Sequence, residues 1–222
     1  MTEAQSKVYD TISTTILGHK INRPLLVAIN GKDASGKTMM ADILAEYLSS
    51  QTSREIIRIS IDDFMNERKV RYTPSESAGR SCYQYTFNFS DFTRYVLMPL
   101  HKNNKWVYKD KIFDHATDNI MFSPDKVANV DAIVIIDGVF LYKNELVDYW
   151  DIKILLQTDN EVIIKRGAKR DEQRIGSYEE AKRKYINRYI ASQTIYYDEE
   201  KPEQAADIIV DNNDINSPFL VV

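Results

Sequence analysis

Residues 25–48, "LLVAINGKDASGKTMMADILAEYL", constrain this chain more than any other stretch. "LLVAIN" reads as a strand buried on both faces. Gly31, Gly36, Lys37 and Thr38 then complete the pattern G-x-x-x-x-G-K-S/T. Beyond it Met39, Met40, Ile43, Leu44, Tyr47 and Leu48 recur at helical spacing. A loop whose backbone amides must touch an anion has no room for bulky side chains, hence the glycines. The helix behind it turns unpaired N–H groups and its positive dipole end toward the same anion. The expectation is a triphosphate cradle made by Gly31, Asp33, Ala34, Ser35, Gly36, Lys37, Thr38 and Met39. Lys37 serves it as a point charge, and the Thr38 hydroxyl as a Mg²⁺ ligand. Asp33 is unusual in an anion site; a solvated loop carboxylate and a role in the site are both open.

Further apolar runs at 55–61, 132–138, 152–157 and 205–212 read as strands. Helices are predicted at 3–17, capped by Thr2 with Gln5, at 90–100, capped by Ser90, and after two more capping pairs, Thr158/Glu161 and Ser177/Glu180. Strands alternating with helices predict an α/β fold, a parallel sheet covered on both faces. Residues 105–115 read as a hairpin turning near Lys109–Asp110. Residues 66–86 are polar, with three arginines and three tyrosines, and read as a long loop or broken helices, a kind of segment that often carries function.

The 222 residues suffice for one domain, 1–222, with an N-terminal helix in 1–23. A net charge of −4 argues against a nucleic-acid partner. No apolar run approaches the ~18 residues of a membrane span. The N-terminus has no signal pattern, and Cys82 is the lone cysteine, which together favour a reducing cytosol.

Three acids and a basic run are the remaining candidates. Asp62 and Asp63 end the second strand, where a turn, a metal site and a general base are all open readings. Asp137 ends "AIVIID" and can hold Mg²⁺ through water; Gly138 lets the chain turn there. Lys165, Arg166, Lys169, Arg170 and Arg174 share one helix and its exit, with like charges at i,i+4. They are either an anion-closing lid, loosened by Gly167 and Gly176, or a solvated basic face.

The phosphate loop, "SIDDF", "FDH", "IIDGVFL", "KRGAKRD" and "ADIIVDN" occur in the order that resembles the uridine kinase–phosphoribulokinase family of P-loop kinases, its bacterial uridine kinase-like branch above all. The resemblance implies a parallel five-stranded sheet with a helical lid (165–178) and an acceptor-binding region (62–120). It implies ATP- and Mg²⁺-dependent transfer to a hydroxyl of a small acceptor, a nucleoside first. Asp62 then maps onto the catalytic Asp of an Asp-x-Phe segment that Phe64 completes, with Lys37 and Arg170 beside it in catalysis and Arg166 and Arg170 closing on ATP. Tyr85, Phe87, Asp114, His115 and Arg174 fall on the acceptor side. The sequence departs from the uridine kinase pattern there: Phe113 replaces a Tyr, Asp118 stands roughly where a His belongs, and Asn88 replaces an Asp. These departures open the acceptor to another alcohol, vitamin-like or a sugar phosphate; a non-metabolic NTP switch is the rival from another class. Association between copies of the chain is left open.

Overall fold

The computed structural model describes residues 1–102 and 105–221. Residues 103 and 104 of the expected acceptor region, and residue 222, lie outside the described residues. The sheet strands are β1 (Leu25–Gly31), β2 (Ile56–Ser60), β3 (Ile133–Gly138), β4 (Ile152–Gln157), β5 (Ile208–Asp211) and β6 (Phe219–Val221). Their order across the sheet is β6-β5-β4-β1-β3-β2. The first five in sequence run parallel, as expected; β6 adds an antiparallel edge that the short segment after residue 212 did not signal.

All seven residues of β1 are buried, because it lies at the centre of the sheet and is covered on both faces. Leu25, Val27 and Ile29 pack with α1 (Glu3–Gly18) and α2 (Lys37–Ser49). Leu26 and Ala28 point the other way, into a cluster with Phe64, Phe92, Phe140 and Tyr196. Burying each such aliphatic side chain contributes about 1.5–3 kcal/mol. Thr2 and Gln5 form the reciprocal cap of α1 that their spacing predicts.

Several local expectations are corrected. The hairpin at 105–115 does not form. Val107–Tyr108 pairs with Lys126–Val127 and Phe113–Asp114 with Asn119–Ile120, so each short segment finds its partner further along the chain. Residues 66–86 hold two helices, Arg68–Arg71 and α3 (Ala78–Tyr85). The helix at 89–102 is capped by Asn88, not Ser90, and is π-wound over Thr93–Leu97. Thr158 and Glu161 form no capping box. Asp159 is the N-cap residue of α4 (Asn160–Ile175), and the Thr158 hydroxyl donates to the Gln157 carbonyl.

Gly167 has a different purpose from loosening a lid. It is buried in α4, where a Cβ would stand 2.1 Å from the Tyr185 ring. The glycine lets that ring lie against the helix, and the Tyr185 hydroxyl then donates to Asp171 at 3.0 Å and accepts from Arg170 at 2.9 Å. Gly167→Ala improves helix propensity but overpacks this contact. The expected result is a net loss of about 1–3 kcal/mol, read as a lower midpoint in chemical denaturation.

Candidate active site

The C-terminal ends of β1, β2 and β3 converge on one edge of the sheet, the edge where open parallel sheets bind ligands. The phosphate loop leaves β1 there and wraps the start of α2. Ala34 at φ 58° and Gly36 at φ 96° hold the left-handed turns. A Cβ on Gly36 would stand 2.7 Å from Asn212 Nδ2, the group that donates to the Ser35 carbonyl. Asn212, at the end of β5, thus braces the loop from outside. Lys37 is buried and donates from Nζ to the Lys32 carbonyl at 2.7 Å; burial pushes its pKa down, against the pull of Asp33, Asp137 and Asp62.

Asp137 is 2% exposed at the end of β3. Its Oδ2 accepts from Thr38 Oγ1 at 2.7 Å, and its Oδ1 accepts from Arg58 at 2.9 Å. Arg58, one strand over on β2, also donates to the Ile135 carbonyl and to Asp42. The Thr38 and Asp137 oxygens are the hard donors a Mg²⁺ ion prefers. Among the described residues no three His, Cys, Asp or Glu side chains gather into a protein-only cage.

Asp62 sits on a tight 3-10 turn, Ile61–Phe64, just past β2. A Cβ on Gly138 would stand 2.4 Å from Ile61 Cγ2, so the absent side chain is what lets this turn close against β3. Asp62 is exposed where it lines the cleft, yet the protein packed around it raises its pKa to about 6, with Lys37 opposing the rise and Asp33 and Asp137 adding to it. Asp63 turns away, toward Lys111 at 3.8 Å and His115 at 3.7 Å. The two carboxylates diverge because of the 3-10 turn that carries both.

Two cavities meet at this point. A smaller one, about 270 Å³, holds Asp33, Ala34, Gly36, Lys37, Thr38, Met39 and Asp137, together with Ser60, which sequence reasoning missed. A larger one, about 550 Å³, contains Phe87, His115 and Arg174. Asp33, Asp62, Val139 and Arg170 line both. Arg170 and Arg174 both pair with the buried Asp171. Asp33 accepts from Gln193 of the 178–200 helix at 3.2 Å, an interaction across 160 residues.

Six candidates line neither cavity: Gly31 and Ser35 are buried within the loop itself, and four more lie elsewhere. Phe64 is wholly buried, edge-on to Phe92, because the turn drives it into the core. Tyr85 is half-buried and offers only its carbonyl, to Asn66. Asp114 closes its own turn by accepting from Thr117 and Ala116. Arg166 donates to the Asn212 and Asn213 carbonyls, behind the phosphate loop instead of over it. Lys165 and Lys169 are exposed, so the basic run divides between a solvated face, a brace and the cleft.

Arg58→Met keeps the aliphatic stem and removes the charge facing buried Asp137. The expected outcome is a stability loss of about 3 kcal/mol in denaturant titration, with a raised Mg²⁺ requirement for phosphate-loop nucleotide binding.

The sequence profile of the Phosphoribulokinase / Uridine kinase family matches residues 26–216. Uridine-cytidine kinase A of Dictyostelium discoideum is 28% identical over 156 residues, which are 68% of this chain and 29% of that protein. The uridine kinase of Lactiplantibacillus plantarum is 24% identical over 86% of this chain and 88% of its own length. Among solved structures, a Bacillus stearothermophilus protein described as a possible uridine kinase superposes with a TM-score of 0.71 at 24% identity, over 90% of this chain and 96% of that one. Phosphoribulokinase from Rhodobacter spheroides superposes with a TM-score of 0.58 at 13% identity, over 86% and 70%. With the profile matched over most of its length, on a parallel sheet carrying the phosphate loop, this chain belongs to the phosphoribulokinase/uridine kinase family of kinases.

Proposed function

We propose that the protein transfers the γ-phosphoryl group of ATP, with Mg²⁺, to a hydroxyl of a small acceptor. The observation that carries this reading is the meeting of the two cavities at Asp62 and Arg170. A phosphate held in the smaller cavity and a hydroxyl held in the larger one come together at those two side chains. Bound Mg²⁺ would draw charge from the β- and γ-phosphate oxygens, held by Thr38 and, through water, by Asp137. Lys37 gives up the Lys32 carbonyl for phosphate oxygens. Asp62 orients the acceptor hydroxyl and takes its proton as the new P–O bond forms and the bond to ADP breaks. Arg170 sits where the transferring group's charge develops, an effect worth ~10³-fold for an arginine so placed.

The domain reading follows the same plan: one kinase domain over 1–222, an acceptor region within 62–120 and a lid at 165–178. A nucleoside is the acceptor class supported by relatives named uridine kinases. Against an unmodified nucleoside pocket stand Phe113 and Asp118, the latter engaged by Arg71. A reducing cytosolic setting agrees with the one buried, free cysteine, Cys82; among the described residues no helix is long and apolar enough to cross a membrane.

Transfer from γ-labelled ATP to a panel of nucleosides, sugars, sugar phosphates and vitamin-like alcohols tests the reading, with the variants assayed on the acceptor it finds. Lys37→Ala should nearly abolish transfer in a folded protein. Asp62→Asn should lower kcat at least ~10²-fold with ATP binding retained, and Asp63→Asn much less. Equal losses would mean a shared metal site, and a larger loss at Asp63 would move the base to that residue.

The raised pKa makes two further demands. A general base works deprotonated, so kcat/KM should fall as pH drops through about 6, the folded value for Asp62. An acid whose folded pKa exceeds its unfolded one contributes stability at low pH and loses it as pH rises through 3.8 to about 6. Asp62→Asn should therefore melt higher than wild type at pH 8, with the difference shrinking toward pH 4.

A further inference from the structure

The larger cavity has a second charged end that proton transfer at Asp62 does not use. Tyr72 stands there with three cations about its ring. The Arg188 guanidinium is 4.1 Å from the ring centre, Arg68 5.0 Å and the Lys184 ammonium 5.9 Å. All four residues line the cavity. Its other cations have carboxylate partners: Arg71 pairs with Asp118, and Arg170 and Arg174 with Asp171. Among the described residues no carboxylate forms an ion pair with Arg68, Lys184 or Arg188.

Arg188 makes the imbalance consequential. It is 6% exposed, so water does not neutralise it as it would a surface arginine. Its guanidinium donates only to uncharged groups, the Ala78 carbonyl at 3.2 Å and the Arg71 carbonyl at 2.8 Å. Stacking on Tyr72 offsets part of the burial cost, since a cation over an aromatic face gains about 0.5–2 kcal/mol. It supplies no counter-charge. A buried cation without one costs the free protein stability that a bound anion restores.

The field at this end also registers on Tyr72 itself. Burial acts to raise its phenol pKa, yet Lys184, Arg188 and Arg68 outweigh burial and hold it below the ordinary tyrosine value. The charges acting most on Asp62 are a different set: Lys37, Asp33, Asp137 and His115. The cavity therefore has two distinct poles, a proton-accepting one beside the phosphate loop and a cationic one around Tyr72.

We propose that the acceptor carries an oxyanion, a phosphate monoester or a carboxylate, held by Arg68, Lys184 and Arg188 while its hydroxyl meets Asp62. This rests on the phosphotransfer reading and narrows its acceptor. An uncharged nucleoside would leave all three cations unanswered. An oxyanion would accept charge-assisted hydrogen bonds from them and fix which hydroxyl reaches the carboxylate.

Matched pairs test it, with Mg²⁺ and a non-hydrolysable ATP analogue filling the phosphate loop so that it cannot capture the anion. The pairs are ribose 5-phosphate with ribose, uridine 3′-monophosphate with uridine, and glycerate with glycerol. Binding is read by calorimetry, and transfer from γ-labelled ATP is read separately on the same pairs. At least one charged member should bind ~30-fold or more tightly than its neutral partner. Lys184→Gln and Arg68→Gln should each weaken it about 10-fold without moving the neutral partner. These exposed or half-buried sites avoid the folding risk of replacing Arg188. Preference within the first two pairs assigns a phosphate, and within the third a carboxylate. The proposal is overturned if no charged member binds, if neutral partners bind equally well, or if both variants keep the preference intact. Charge preference in binding with no transfer would uphold the anion site and overturn the kinase reading. Transfer to uncharged acceptors without preference would do the reverse.

Discussion

One buried carboxylate organises the site. Asp137 accepts from Thr38 on one side and Arg58 on the other, so a residue of α2, a residue of β2 and the end of β3 share a single pair of oxygens. A carboxylate that is 2% exposed is tolerable only with such partners. Their directions are set by strand register, because Arg58 lies opposite Ile135 and Ser60 opposite Asp137. Shifting β2 by one residue would point Arg58 to the other face of the sheet and strand the charge. The sheet pairing and the metal-ready oxygens are in this sense one structure.

The turn after β2 depends on the same pairing. With Ser60 beside Asp137, the chain must turn at Ile61, and only the missing side chain of Gly138 gives Ile61 room. That places Asp62 within the field of Lys37 and Asp137 and sends Asp63 outward. The raised pKa of Asp62 marks it as a candidate functional acid or base.

Opposite this strand edge the long helices form the other wall. Gly167 lets Tyr185 reach Asp171 and Arg170, and Asp171 gathers Arg170 with Arg174. Gln193, further along, touches Asp33 of the phosphate loop. The wall is thus tied to the loop by a polar contact at Asp33, a residue whose charge looked out of place when only the loop was considered. Because this wall carries both the arginine facing the phosphate cavity and the lysine and arginine beside Tyr72, two consecutive helices, broken at Gly176, contact the two ends of the cleft.

Local patterns were enough for the parallel strands, the phosphate loop, the Thr2–Gln5 cap and the acids at strand ends, because each is written within a few consecutive residues. The same logic picked out Asp62, Lys37, Thr38 and Asp137 by residue type at a strand end or a loop. It misassigned Phe64, Tyr85, Asp114 and Arg166, since their neighbours in sequence do not reveal which way each side chain points once a turn closes or a helix packs. It also missed Arg58, Lys184, Arg188 and Asn212, each of which meets a partner in the site from a distant part of the chain: Asp137, Tyr72, the Arg71 carbonyl and the Ser35 carbonyl. The sequence alone determined the phosphate chemistry, because backbone conformation and glycine spacing make that site locally. Only the tertiary structure decided what faces the phosphate, because the acceptor cleft is assembled from segments far apart in the chain, and charge balance among them exists only after they meet.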